Sequence, residues 1–241
     1  MTVLHLADEG EAADLAAFLA RLLHYDRGAA VRLQVAGTAL AVFGRPPSFE
    51  VLAIRAARLA KPYEDGLDVG LDITVSAGEL LETVDESAAT LTVPGAVTGP
   101  PWAGVLPPRG GWRPEPGLPA PDALRTMVAA AVAEFRSRTR ELPPESRTRA
   151  ELDRIGREIW TRTVGDTGLP VRAVHAAQSL GFLRPAQTAQ TAHTSGSLSG
   201  QTSGEAPLAL VSSGPWLRLR TPYGSIAVRR AGLGTLDVSV R

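Results

Sequence analysis

The stretch Val31-Arg-Leu-Gln-Val-Ala-Gly-Thr-Ala-Leu-Ala-Val-Phe43 decides the fold class. Val31, Leu33 and Val35 alternate with Arg32 and Gln34, a period of two that turns one side of an extended chain toward a core. Ala36-Gly37 permits a turn, and Leu40–Phe43 returns as a second strand, so the sheet is expected to be mainly antiparallel. On the N-terminal side, Asp8 to Tyr25 reads as an amphipathic helix. Asp8 is placed to cap it, Glu9 and Glu11 suit its positive end, and Ala12, Leu15, Phe18, Leu19, Leu22 and Leu23 form one apolar stripe. Helix and antiparallel strands in separate runs make this an α+β chain.

Working outward to the C-terminus, Arg45-Pro-Pro-Ser48 interrupts the chain before Phe49–Leu59, which begins as strand and continues either as strand or as a short helix. Leu71, Ile73 and Val75 mark another strand, Ser76 caps a short helix running to Val84, and Leu91-Thr-Val93 closes an acidic α+β segment, 1–93. Residues 94–121 hold nine prolines and six glycines, a composition that predicts no regular helix or sheet. They also hold Trp102 and Trp112, so this connector is expected to pack on the protein surface. A helical segment, 122–184, follows with three helices. Its apolar faces are Leu124, Met127, Val128, Ala131, Val132 and Phe135, then Leu152, Ile155, Ile159 and Trp160, then a short helix from Val171 to Leu180 ending at Gly181. The tandem triplets Ala186-Gln-Thr, Ala189-Gln-Thr and Ala192-His-Thr run into Ser/Gly-rich sequence, and 185–207 is expected to be a disordered insertion. Strands close the chain over 208–241: Leu208–Val211, Trp216–Thr221, Ser225–Arg230 and Leu236–Val240, as a C-terminal hairpin or meander.

Charge is distributed unevenly. Residues 1–100 carry 14 acids and 7 bases, and residues 101–241 carry 11 acids and 18 bases, within a chain whose net charge is zero. Such opposition predicts two segments that face each other or two surfaces with different partners. Lys61 is the only lysine, against 24 arginines. There is no cysteine, which excludes disulfides, thiol nucleophiles, Fe–S clusters and Cys-ligated zinc. The first residues lack a basic region and meet an acid at Asp8, and the apolar runs are short. The expectation is a cytoplasmic protein with no membrane span.

Known chemistry is mostly excluded by position. Lys61 precedes Pro62, so no phosphate-binding P-loop exists, and Arg58 stands where a Ser-x-x-Lys motif needs its serine. Gly232-Leu-Gly234 is followed by Asp237 where a dinucleotide loop needs glycine. Gly196-Ser-Leu-Ser-Gly200 sits in low-complexity sequence rather than at a strand-to-helix elbow. His5, His24, His175 and His193 show no metal-ligand spacing, and His175 reads as a helix-surface or satisfied core histidine. Glu64, Asp65, Asp68 and Asp72 form an acidic cluster without the spacing of a calcium loop, and read as a solvated loop. No cofactor and no metal are predicted.

One patterned basic surface remains. In Trp216-Leu-Arg-Leu-Arg220, Leu217 and Leu219 point one way and Trp216, Arg218 and Arg220 the other. After Thr221-Pro-Tyr-Gly224, a two-residue loop would set Leu219 opposite Ile226, Leu217 opposite Val228 and Trp216 beside Arg229. Pro222 cannot take the positive φ of the usual hairpin turns, so a bulged loop that shifts this register is the alternative. Trp216, Arg218, Arg220 and Arg229 are therefore the candidate partner-binding residues, on a face expected to meet solvent and an acidic protein surface.

In its near-complete use of arginine for lysine, its Ala, Gly and Pro content and its general character, the chain resembles the actinobacterial signature proteins, including regulators of the chromosome-partition ATPase ParA. That resemblance implies a cytoplasmic, polymerising partner, a ParA-type ATPase or its filaments, and assigns no site residue. The expected function is that of a non-enzymatic regulatory or interaction protein. Two alternatives stay open. One is a nucleic-acid-binding module in which the helices around Leu152–Val164 and Val171–Leu180 form a helix-turn-helix with the Arg218/Arg220 hairpin as a wing, although the connector Gly165–Pro170 is long for that motif. The other is an enzyme on an unrecognised scaffold.

Overall fold

A computed structural model of the protein describes residues 2–63, 70–184 and 208–230. Glu64, Asp65 and Asp68 of the acidic cluster, the insertion 185–207 and the expected strand Leu236–Val240 lie outside the described residues. The first half runs β1 (Val3–His5), α1 (Glu9–Tyr25), β2 (Ala30–Ala36), β3 (Ala39–Gly44), β4 (Leu52–Arg58), β5 (Asp72–Ser76), α2 (Ala77–Glu82), β6 (Val84–Asp85) and β7 (Thr90–Thr92). The second half runs β8 (Arg113–Glu115), α3 (Pro121–Glu141), α4 (Arg149–Trp160), α5 (Val171–Ser179), β9 (Ala209–Ser213), β10 (Trp216–Thr221) and β11 (Gly224–Arg229). The protein is an α+β fold with a C-terminal strand meander.

Local chemistry starts the elements where the residues suggest. Asp8 accepts a hydrogen bond from the Glu11 N–H at 2.9 Å and caps α1. Ser76 caps α2 and Thr148 caps α4 in the same way, through Glu79 and Glu151. β1 and β6 have no counterpart among the sequence expectations. They are three and two residues long, too short to show an alternation.

Eight antiparallel strands form one sheet in the order β5-β2-β3-β4-β11-β10-β9-β8, with β1-β7-β6 as a small second sheet. The large sheet is shared by both halves of the chain. Its seam is β4 against β11, where Ser225 lies opposite Ile54, Ile226 opposite Ala53 and Ala227 opposite Leu52. Segments separated by some 170 residues of sequence thus complete each other's edges, and two exposed edges disappear.

The hairpin keeps its unshifted register, with Leu219 opposite Ile226, Leu217 opposite Val228 and Trp216 opposite Arg229. Neither Pro222 nor Tyr223 takes a positive φ; Gly224 does, at +157°. A Cβ there would come within 2.6 Å of the Phe182 ring, so glycine answers both the backbone and the packing.

The two faces of the sheet are covered differently. Leu33, Val42, Ala53, Leu217, Leu219 and Ile226 point toward the helices and share a core with Leu15, Leu19 and Leu22 of α1 and Val174 and Ala177 of α5. Phe18 of α1 stacks on Phe182 beyond α5, their centroids 5.6 Å apart, so this core also spans the halves. On the opposite face Phe43, Leu52, Ile54, Trp216 and Ala227 form a second apolar cluster, covered by Trp102, Leu106 and Trp112 of the connector. The connector is a strap across the sheet. Contrary to the compositional expectation, it holds a 3₁₀ turn at Pro101–Gly104 and the strand β8. β8 is the last strand of the sheet, where the missing N–H of Pro114 leaves no inner ladder bond unmade.

Among the described residues the opposed charges of the halves are joined at a few points only. Asp14 of α1 pairs with Arg184, and Arg172 of α5 lies 3.9 Å from Glu50. Arg55, buried in β4, donates to Glu11 at 2.8 Å and to the Tyr223 carbonyl at 3.1 Å. Other ion pairs among the described residues stay within one half, as in the Glu134, Arg138, Glu151, Arg154, Glu158 and Arg162 network on α3 and α4.

Candidate functional site

The four expected partner-binding residues do not form one open face. Arg218 is half-buried: its Nε donates to Ser225 Oγ at 2.8 Å, and its guanidinium lies 5.7 Å from the Trp112 ring centroid. Burial, with a smaller contribution from the like charge of Arg220, pushes its pKa down to about 10, still far above neutrality. The reason for the difference is the strap, which covers a face that strand alternation alone leaves open. Arg220 is exposed beyond the strap, toward the hairpin turn. Trp216 is 9% exposed and belongs to the second cluster, while Arg229 is exposed with its guanidinium 5.6 Å from the Trp216 ring centroid.

Trp216 and Arg229 instead join residues that the sequence gives no reason to group. Where β4 begins and β11 ends, a groove of about 490 Å³ is lined by Arg45, Glu50, Leu52, Trp102, Val105, Arg172, Trp216 and Arg229, among others. That volume is within the range of small-ligand and peptide-anchor sites. Its apolar surfaces are the two indoles, Leu52 and Val105, the last half exposed. Three arginines line it against a single acid, Glu50. Arg45 and Arg229 have no ion pair among the described residues.

The groove has neighbours on both sides. Past Arg45 and Trp102 a space of about 720 Å³ is lined by Asp26, Ser76, Val97 and Gly99. Past Glu50 and Arg172 another, of about 480 Å³, is lined by Phe135, Arg149, Arg157 and Trp160. Phe49 and Val51, which flank Glu50, are both buried. Phe49 packs edge-on against Tyr25 at 5.3 Å and His175 at 5.1 Å, and His175 stacks on Trp160 at 4.6 Å. The His175 ring is thus enclosed by aromatics, and burial lowers its pKa, which favours the neutral imidazole.

Sequence reading missed Arg45, Glu50, Trp102 and Arg172 as members of one site. Arg45-Pro-Pro marks a break and Trp102 an anchor, but no local signal joins positions so far apart. Asp72 of the acidic cluster is in an ion pair. It accepts from Arg32 at 2.7 Å and from Gln34 at 3.1 Å, and the Arg32 hydrogen bond, more than the opposing burial, holds its carboxyl below the usual range. Among the described residues no three His, Cys, Asp or Glu side chains converge as a metal site would require.

Ten residues separate α4 from α5, and α5 buries Val171, Ala173, Val174, Ala176 and Ala177, leaving Gln178 as its one exposed side chain. The hairpin that would serve as a wing lies inside the sheet, between β9 and β4.

The sheet seam coincides with a boundary between two families. Residues 1–104 match the model of a domain of unknown function, DUF8010, and residues 107–233 match that of another, DUF8185. No curated protein and no solved structure matches the chain. The groove draws Arg45, Glu50 and Trp102 from the first matched region and Arg172, Trp216 and Arg229 from the second. With its larger part, 107–233, inside that match, the chain belongs to the DUF8185 family and carries a DUF8010 domain before it.

Proposed function

We propose that the protein is a non-enzymatic interaction protein whose groove binds an acidic segment of another protein around an apolar anchor. The observation that carries this reading is the lining: two indoles and Leu52 among three arginines, of which Arg45 and Arg229 have no ion pair among the described residues. An acidic side chain meets guanidinium groups with planar, charge-assisted hydrogen bonds, and an apolar side chain meets the indoles. Tryptophan and arginine are also the residue types that concentrate binding energy at protein interfaces. A ParA-type partition ATPase is the first whole protein to offer, on the compositional resemblance alone.

The test is fluorescence anisotropy with a labelled peptide of glutamates around a central phenylalanine. Binding is expected to weaken as salt rises, because charges near the surface are screened over about 10 Å at 0.1 M. Arg45→Glu combined with Arg229→Glu should abolish it while the thermal midpoint stays unchanged, since both side chains are exposed. Equal binding by the double variant overturns the reading. So does an oligonucleotide that binds more tightly than the peptide through the same arginines, which would replace the protein partner with a nucleic acid.

A further inference from the structure

We propose that Glu50 is an internal competitor for this groove, its carboxylate standing at the Arg172 guanidinium where the acidic group of a bound ligand docks. The inference rests on the reading of the groove as a site for an acidic segment, and adds which arginine anchors the acid and what opposes it.

Arg172 is the second residue of α5, and its side chain is only 22% exposed. Its Nε is buried and makes no hydrogen bond. Glu50 Oε2 lies 3.9 Å from that Nε, close enough to balance the charge and too far to accept its proton. A buried donor of a charged group without an acceptor is uncommon in folded proteins, and it marks a place where another acceptor is favourable. A ligand carboxylate supplies two acceptor oxygens to the planar fork of Arg172, a stronger arrangement than the single long contact that Glu50 makes.

The placement of Glu50 supports the same assignment. Its backbone φ is +52°, a left-handed conformation that glycine adopts freely and glutamate does not. Buried Phe49 and Val51 hold it there from both sides. The side chain itself is 73% exposed, so it can leave Arg172 without disturbing the core. Glu50 and Arg172 also line both the groove and the space beside Trp160, so their contact lies between the two. A strained backbone thus sets a lone acid at the groove arginine whose buried Nε lacks an acceptor. A contact as long as 3.9 Å, with its acid largely exposed, contributes little, so a partner displaces it readily.

The experiment is a titration of the same labelled glutamate–phenylalanine peptide against the full chain, Glu50→Gln, Arg172→Gln and the double variant. Glu50→Gln keeps the side-chain shape and should bind roughly fivefold more tightly, the effect of losing one modest competing contact. That gain should vanish in the Arg172→Gln background, because the competition is for Arg172. If Arg172→Gln does not fold, Arg172→Lys replaces it, keeping the charge and losing the planar fork. Binding by Glu50→Gln alone, with none by the native chain, supports both the competitor and the groove. Equal affinity of native and Glu50→Gln chains overturns the competitor and leaves the groove reading standing. A gain of the same size without Arg172 also overturns it, since the effect would then be a general change of charge. Failure of both chains to bind overturns both.

Discussion

Ile226 of β11 lies directly opposite Ala53 of β4, and through this pairing the two family domains share one sheet. Both side chains are fully buried and face the core under the helices. The two domains are therefore expected to unfold together. Ile226→Ala should cost about 2–5 kcal/mol, the usual range for truncating a buried isoleucine. Hydrogen exchange should show β2–β4 amides losing protection together with α3–α5. Protection that persists in β2–β4 while the helices open would make the halves independent.

Arg218 and Arg220, two positions apart on one strand, should respond unequally to charge reversal. Arg218 is covered by Trp112 and bonded to Ser225, so Arg218→Glu should lower stability by at least about 1 kcal/mol. Arg220→Glu, on an exposed side chain, should change it by less than about 0.5 kcal/mol. Urea midpoints of the two variants check this; equal effects would show that Trp112 does not cover Arg218.

His175 makes stability fall on the acid side. Its folded pKa is depressed below the ordinary 6.5 by burial, so between the folded and unfolded values the unfolded chain binds the extra proton. Its contribution is fully present above about pH 6.5 and declines as pH drops toward the folded pKa. His175→Phe keeps a ring between Phe49 and Trp160 and should flatten this decline in thermal midpoint. An unchanged slope in the variant would assign the acid sensitivity to other groups.

Glu50→Gly should raise stability by about 1 kcal/mol, as relief of the left-handed strain exceeds the added freedom of the unfolded chain. Denaturant unfolding of native and variant protein measures it. A destabilised variant would mean that the side chain, rather than the neighbours Phe49 and Val51, holds the loop in place.

The amino-acid sequence by itself determined the elements whose signals are local. The alternation in Val31–Val35, the Asp8 cap with its apolar stripe, and the three helical faces between Leu124 and Leu180 appear in the structure within a residue or two. Each depends on contacts a few residues apart, and on a backbone period that one apolar face makes visible. For the Trp216–Arg229 hairpin the sequence leaves two registers open, and the structure adopts the one with a two-residue loop. What only tertiary structure decided is everything that joins distant residues. The seam of Ala53 with Ile226 depends on two strand edges meeting across the fold, and nothing in either strand names its partner. The strap that lays Trp112 over Arg218 reduces the solvent exposure that alternation implies, because alternation separates a strand's two sides without saying what covers either of them. The groove brings Arg45, Trp102, Arg172 and Trp216 together from a loop, the strap, a helix and a strand. No periodicity in sequence encodes that meeting; it follows from packing the helices on one side of a shared sheet and the strap on the other.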